Sequence, residues 1–302
     1  MLSLLPVLAS SIRLPAARGL LTRRSLLGVG TLCSQAIITP PSSLAAPPTP
    51  LCDPDVVVLR TARNKQIVIV GTAHVSAESV ALVRKVIRDV RPSTVMVELD
   101  KPRALTLMRK ARARRTEGNT VTPTTTAGET GPGIPSFYRS LEKMGFESGE
   151  EFVAAIEEAS RLNASVLLGD RDIQITMQRL KEADAEVARL RRMGALPTVD
   201  AARNRSLPNG RFDSETTRDQ VQQMTRELLQ PDNVRAMREY MKEQAPPIYD
   251  VLIAERDTYM AHALRDASGD SVVGVVGLAH LDGIADALRI EEGARRSSLM
   301  NC

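Results

Sequence analysis

Apolar residues recur along this chain in two rhythms. Val56 to Arg60 and Gln66 to Val70 are β-branched runs separated by a short polar turn, the pattern of a hairpin. After a Ser76 cap, Val80, Val83, Ile87 and Val90 repeat at helical spacing until Pro92 stops them. Thr94 to Glu98 reads as the next strand, with a helix starting near Pro102. Thr116 to Pro135 has no periodicity and is rich in Thr, Gly and Pro, so a mobile surface loop is expected there. A helix from Gly149 to Leu162, with Phe152, Ile156 and Ala159 on one face, leads into a strand at Ser165 to Leu168. Ile173 to Met193 predicts a long charged helix, and Leu196 to Phe212 a loop. Helices are expected at Glu215 to Leu229, Asn233 to Glu243 and Tyr249 to Ala267. The last core strand, Ser271 to Val276, precedes a closing helix. Strands alternating with helices predict an α/β fold, a mixed β-sheet flanked by helices.

Charge changes how the first 52 residues are read. The 302-residue chain carries 40 bases and 36 acids, a formal charge of +4 that hints at an anionic partner. Every acid lies at or beyond Asp53, whereas residues 1–52 hold Arg13, Arg18, Arg23 and Arg24 with no Lys. Without those four arginines the body is formally neutral, so nucleic acid is not expected as a partner. The absence of Trp, with four Phe and four Tyr, also argues against stacking on bases. The leader contains Thr22-Arg23-Arg24-Ser25-Leu26-Leu27, a moderately apolar stretch and a small-residue site at Ser43 to Ala46. It resembles the bipartite peptide that delivers chloroplast proteins to the thylakoid lumen. A mitochondrial or stromal presequence with a chance arginine pair is the alternative. The expected division is a disordered targeting peptide over 1–46, a domain over 53–292 and a polar tail over 293–302. No apolar run is long enough for a transmembrane helix. Cys52 and Cys302 permit one end-to-end disulfide but no cysteine framework.

Two of the three histidines share one local frame. QIVIV-GTAH and SVVGVV-GLAH each run from an apolar strand through a glycine to a histidine, His74 and His280. Gly71 and Gly277 are read as tight turns off the strand ends, placing both imidazoles at the carboxyl edge of the sheet. The repetition suggests two related half-domains. Glu98 closes the strand TVMVE and should reach the same edge, as metal ligand, general base or, with Asp100, helix cap. Arg256 falls on the apolar stripe of its helix, so its guanidinium needs a carboxylate or an anionic ligand. Either an ion pair with Glu98 or Asp170 or an oxyanion-stabilising role satisfies that need. Asp170 and Arg171 follow a strand and are expected to line or brace the edge. Glu151 and Glu78 are first-turn helix acids that the dipole favours anyway, and His262 is read as a surface or satisfied histidine.

These residues carry a family resemblance. GTAHVSAESVALVRKVIRDVRPSTVMVELD resembles the opening block of the TraB/PrgY (TraB domain) family. MGFESGEEFVAAIEEASRLNASVLLGDRDIQITMQR resembles its middle block, and ERDTYMAHALRDA with VVGVVGLAHLDGI its closing block. The similarity spans about Val56 to Ile290. It implies a fold shared with Tiki-type proteases, erythromycin esterases and haem-binding ChaN-like proteins. It further implies that His74, Glu98 and His280 hold a divalent metal or polarised water, and that Arg256 steadies an oxyanion. A peptide or protein substrate follows from the Tiki-type and PrgY-like relatives. Two alternatives stay open: a non-catalytic peptide- or cofactor-binding regulator using the same crevice, and haem ligation through one histidine. Many relatives carry carboxy-terminal membrane segments, whereas this chain ends in the polar EEGARRSSLMNC.

Overall fold

A computed structural model of the protein describes residues 49–73, 77–117, 149–197, 230–292 and 295–296. The expected targeting peptide, His74 and the expected Ser76 cap lie outside them, as do the Thr/Gly/Pro-rich insert beyond residue 117, the expected Glu215–Leu229 helix and most of the tail. The sheet is built from β1 (Val56–Arg60), β2 (Gln66–Thr72), β3 (Thr94–Val97), β4 (Ser165–Leu168), β5 (Ser271–Gly277) and the two-residue β6 (Arg295–Arg296). Their order is β4-β3-β5-β2-β1-β6. β4, β3, β5 and β2 are parallel, while β1 runs antiparallel to both β2 and β6. The hairpin is held in register from Val56 opposite Val70 to Arg60 opposite Gln66, turning through Asn64 in the left-handed region (φ 66°).

Alternation along the strands divides the core into two layers. Leu59, Ile67, Ile69, Met96, Val272 and Val276 face one side. There they pack on α7 (Glu255–Asp266) and α8 (Leu278–Glu292) through Met260, Leu264, Leu281, Ile284 and Leu288. Val58, Val68, Val70, Val95, Val97, Val273 and Val275 face the other. That side is covered by α1 (Ala77–Val90) and α3 (Glu150–Arg161), with Val83, Ile87, Phe152 and Ala155 at the contact. The helices α2 (Lys101–Glu117), α4 (Ile173–Arg192), α5 (Pro231–Gln244) and α6 (Pro246–Tyr249) complete the described α-helices. α4, α5 and α6 share a separate small core around Leu180, Val187, Tyr240 and Ile248. Among the described residues no helix is long and apolar enough to cross a membrane.

One sequence expectation, the unbroken Tyr249–Ala267 helix, is revised. The two strand–glycine–histidine segments sit side by side in one sheet, with Gly71 paired to Val276 and Thr72 to Gly277. The helices after them, α1 and α8, pack on opposite faces. The junction of β2 and β5 is therefore a switch point within one continuous sheet, where ligand crevices form. The expected Tyr249–Ala267 helix is broken: α6 runs into a π-helical turn at Asp250–Ala254 before α7 begins. That turn widens the backbone loop, and Glu255 N–H bonds back to the Asp250 carbonyl. Cys52 is disulfide-bonded, and its partner lies outside the described residues.

Packing between α1 and α3 is fixed by one buried acid. Glu158, 1% exposed, accepts from Arg84 (2.9 Å), from Arg88 (2.6 and 2.9 Å) and from Arg161 (2.6 Å). The Arg88 hydrogen bond leads the causes that hold its carboxyl down at about 2, against an ordinary 4.5. A depressed folded-state value stabilises the fold above pH 4.5, and that contribution is lost as pH falls through about 2. Denaturant unfolding of wild type and Glu158→Gln across pH 2 to 6 should therefore show a stability gap that is widest above pH 4.5 and narrows towards pH 2. A gap independent of pH would contradict this assignment.

Candidate active site

The carboxyl ends of three parallel strands deliver the described polar groups. β3 is followed by Glu98 and Asp100, β4 by Asp170 and Arg171, and β5 by the first turn of α8 with His280. Glu98, Asp100, Asp170 and His280 are 6, 4, 5 and 4% exposed, so each must be satisfied from within.

Arg256 joins them. Its Nε donates to Asp170 Oδ1 (3.0 Å) and its Nη2 to Asp170 Oδ2 (2.7 Å), a bidentate pair. Nη2 also donates to Glu98 Oε1, and Nη1 donates to the Leu252 carbonyl (3.1 Å) and to His280 Nε2 (3.0 Å). All five guanidinium N–H groups are thus engaged. Burial alone would push Arg256 down; the Glu98 and Asp170 carboxylates outweigh it and hold the group above its ordinary value. Burial likewise raises Asp170, but Arg256 prevails and leaves its carboxyl below the usual range.

The π-turn supplies a carbonyl to each of two arginines. Its Leu252 carbonyl accepts from Arg256, and its Val251 carbonyl accepts from Arg171 Nη2 (3.0 Å). Arg171 also bonds Glu255 (2.5 Å) and Thr176 (3.1 Å), which makes it a brace between α4 and α7. Asp100 caps α2 through Arg103 N–H (2.9 Å) and anchors the start of α4 through Ile173 N–H (2.6 Å). Arg103 then bridges Asp100 to Asp170. Capping therefore falls to Asp100, while Glu98 turns inward, its Oε2 accepting from Gly277 N–H at 2.6 Å.

That bond corrects the role expected of the glycines. Gly71 and Gly277 are strand residues, and the described glycines with positive φ are Gly149, Gly194 and Gly269. Gly277 offers its N–H to Glu98, whereas Gly71 lets α8 approach: a Cβ there would lie 2.8 Å from Leu278 Cδ2.

His280 is held on both ring nitrogens. Nδ1 lies 2.6 Å from Asp257 Oδ1, and Nε2 faces Arg256 at 3.0 Å and Glu98 Oε1 at 3.4 Å. Asp257, 4% exposed, also accepts from Arg238 Nη2 (3.2 Å), which in turn bonds the Tyr249 hydroxyl (3.2 Å) and, through Nη1, the Ala279 carbonyl. Sequence reading missed Asp257, Arg238 and Gly283. The available signal was that Asp257 lies three residues before Met260 and four before Ala261, on the buried stripe of α7.

Of the other expected residues, Glu151 is buried in the first turn of α3, on the opposite face of the sheet from α7 and α8. Glu78 lies in the first turn of α1, and His262 is half-buried on α7, one turn before Asp266. Among the described residues no three His, Cys, Asp or Glu side chains are arranged to hold a metal.

Buried ionisable groups gathered at the carboxyl ends of parallel strands make this edge the candidate site. The chain belongs to the TraB/PrgY/gumN family, whose profile matches residues 57–292. It is 30% identical over 252 residues to an uncharacterized protein of Methanocaldococcus jannaschii, covering 78% of this chain and 56% of that one. It is also 27% identical to TraB domain-containing proteins of Bos taurus, over 250 residues, and Homo sapiens, over 252. Those matches cover 73% of this chain and 62% of each relative. The chain therefore spans less than two thirds of the length of these relatives.

Space around Asp257 depends on Gly283 in α8, where a Cβ would lie 1.8 Å from Asp257 Oδ2 and 2.9 Å from Arg238 Nη2. Alanine in place of glycine inside a helix ordinarily stabilises by roughly 0.5–1 kcal/mol. Here Gly283→Ala should instead lower the melting temperature, because the buried carboxylate must move. A melting temperature equal to or above wild type would contradict that packing.

Proposed function

We propose that this TraB-domain protein is a hydrolase of the peptidase type, working at the His280–Glu98–Arg256 edge. The observation that carries the reading is the state of His280: a buried imidazole tethered at Nδ1 by a carboxylate, with Nε2 turned towards a second carboxylate and a guanidinium. A base oriented by a third group is the arrangement that proton-transfer catalysis requires. In the proposed reaction a water takes the place of Arg256 Nη1 beside His280 Nε2. Nε2 accepts one water proton as the water oxygen bonds to the peptide carbonyl carbon. The freed Arg256 N–H donates to the carbonyl oxygen as negative charge develops there. Glu98 holds the other side of the guanidinium and stabilises the imidazolium. His280 then returns the proton to the leaving amine as the C–N bond breaks.

The family resemblance also implies a divalent metal on His74, Glu98 and His280. His74 lies outside the described residues, and the facing atoms of the other two accept from Arg256. A guanidinium donating to both of these atoms leaves their lone pairs engaged and does not fit a second cation, so no step is routed through one. A second reading, a non-catalytic peptide-binding regulator, is favoured by the complete engagement of Arg256, which leaves no N–H free for substrate without rearrangement.

The test is hydrolysis of a quenched-fluorescence peptide library by the protein and its variants. His280→Ala and Glu98→Gln should each reduce kcat/KM by about 10²-fold or more. Turnover unchanged in both variants would overturn the proposal. Peptide binding retained in Glu98→Gln, with no turnover by wild type, would establish the regulator instead.

A further inference from the structure

Arginine donates hydrogen bonds and accepts none. Arg256 Nη1 at 3.0 Å therefore requires His280 Nε2 to present a lone pair, which puts the ring proton on Nδ1. Asp257 Oδ1, 2.6 Å from Nδ1, requires the same tautomer independently, because a carboxylate only accepts. The carboxylate is itself constrained. Its Oδ2 accepts from Arg238 Nη2, Arg238 is tied to the Ala279 carbonyl one residue before His280, and Gly283 leaves the pair no Cβ to displace it. α5, α7 and α8 thus converge on one imidazole.

We propose that Asp257, anchored by Arg238 and admitted by Gly283, is a positioning residue that fixes His280 in the Nδ1–H tautomer with Nε2 facing the strand ends. The catalytic significance rests on the hydrolase reading above, but the tautomer does not. Among the described residues the charged and titratable groups that face this imidazole are Asp257 and Arg256 from α7, Glu98 from the end of β3, and Arg238 from α5 through Asp257 and the Ala279 carbonyl.

The arrangement makes an asymmetric demand on Asn at position 257. Arg238 offers only donors, so the amide oxygen must turn to Arg238 and the NH₂ group to His280 Nδ1. An NH₂ group there needs a lone pair on Nδ1, which drives the proton to Nε2; the Arg256 N–H then gives up Nε2, and Glu98 Oε1, 3.4 Å away, accepts the relocated proton. Asp257→Asn should therefore swap the tautomer, whereas Asp257→Glu should retain it if the longer carboxylate still reaches Nδ1.

The experiment is ¹⁵N NMR of the histidine ring nitrogens in the whole protein at one fixed pH. His280 is assigned by the resonance lost in a His280→Gln variant. In wild type Nδ1 should give the protonated-type shift and Nε2 the unprotonated-type shift. In Asp257→Asn the two should exchange, and in the Asp257→Asn/Arg238→Met double variant the amide oxygen is freed and the wild-type pattern should return. A wild-type Nε2–H tautomer, or an Asp257→Asn spectrum identical to wild type, would overturn the proposal. Should Asp257→Asn fail to fold, the wild-type spectrum alone still decides the tautomer. These readouts need no turnover, so their failure is separable from that of the hydrolase reading. Where peptide cleavage is found, Asp257→Asn should lower kcat by about 10²-fold or more with KM nearly unchanged.

Discussion

One buried guanidinium sets the conditions for everything at the carboxyl edge of this sheet. Arg256 cannot lose its proton, so its burial is tolerable only if carboxylates close around it. Asp170 supplies a bidentate partner from the end of β4 and Glu98 a single bond from the end of β3. Because those carboxylates come from different strands, the ion pair also fixes where β3 and β4 end relative to α7. The π-turn before Arg256 supplies the carbonyl that completes its donor set.

The chemistry follows from what this lock leaves facing outwards. His280 is the side chain that touches both halves of the arrangement, with Arg256 and Glu98 on one nitrogen and Asp257 on the other. Close helix packing makes this geometry feasible. Gly71 allows α8 to approach β2, and Gly283 allows α8 to pass over Asp257. Small residues at these points act through the room they leave for others. The strand repeat that carries His74 and His280 is therefore more than a motif, since it brings the switch point between β2 and β5 to the site.

Much of this was legible in the sequence because the signals were local. Continuous apolar, β-branched runs located five strands, and a carboxylate directly after TVMV at Glu98 was readable as an edge residue. An arginine on the apolar stripe of its helix demanded a carboxylate, and both acids expected for it, Glu98 and Asp170, are in place. What escaped was long-range or sub-helical. Asp257 neighbours Arg256 in sequence, yet a 100° step around the helix sends the two side chains to different partners. Arg238 sits on a helix whose packing periodicity cannot reveal an electrostatic partner on another helix. The π-turn inserts an extra residue that shifts the helical face, and 3.6-residue periodicity has no means of signalling it. Gly277 was marked as a turn former, but its function is an N–H aimed at Glu98, a property of backbone direction.

The central claim is that Arg256 and Asp170 form an energetically coupled unit on which the site is built, and a double-mutant cycle tests it most directly. Arg256→Met, Asp170→Asn and the double variant would be unfolded in denaturant alongside wild type. Leaving buried carboxylates without their cation should make Arg256→Met cost about 3–5 kcal/mol. The double variant should cost less than the sum of the singles by about 1 kcal/mol or more. Single effects that add to within about 0.5 kcal/mol would contradict the account, since they would mean the two side chains act independently.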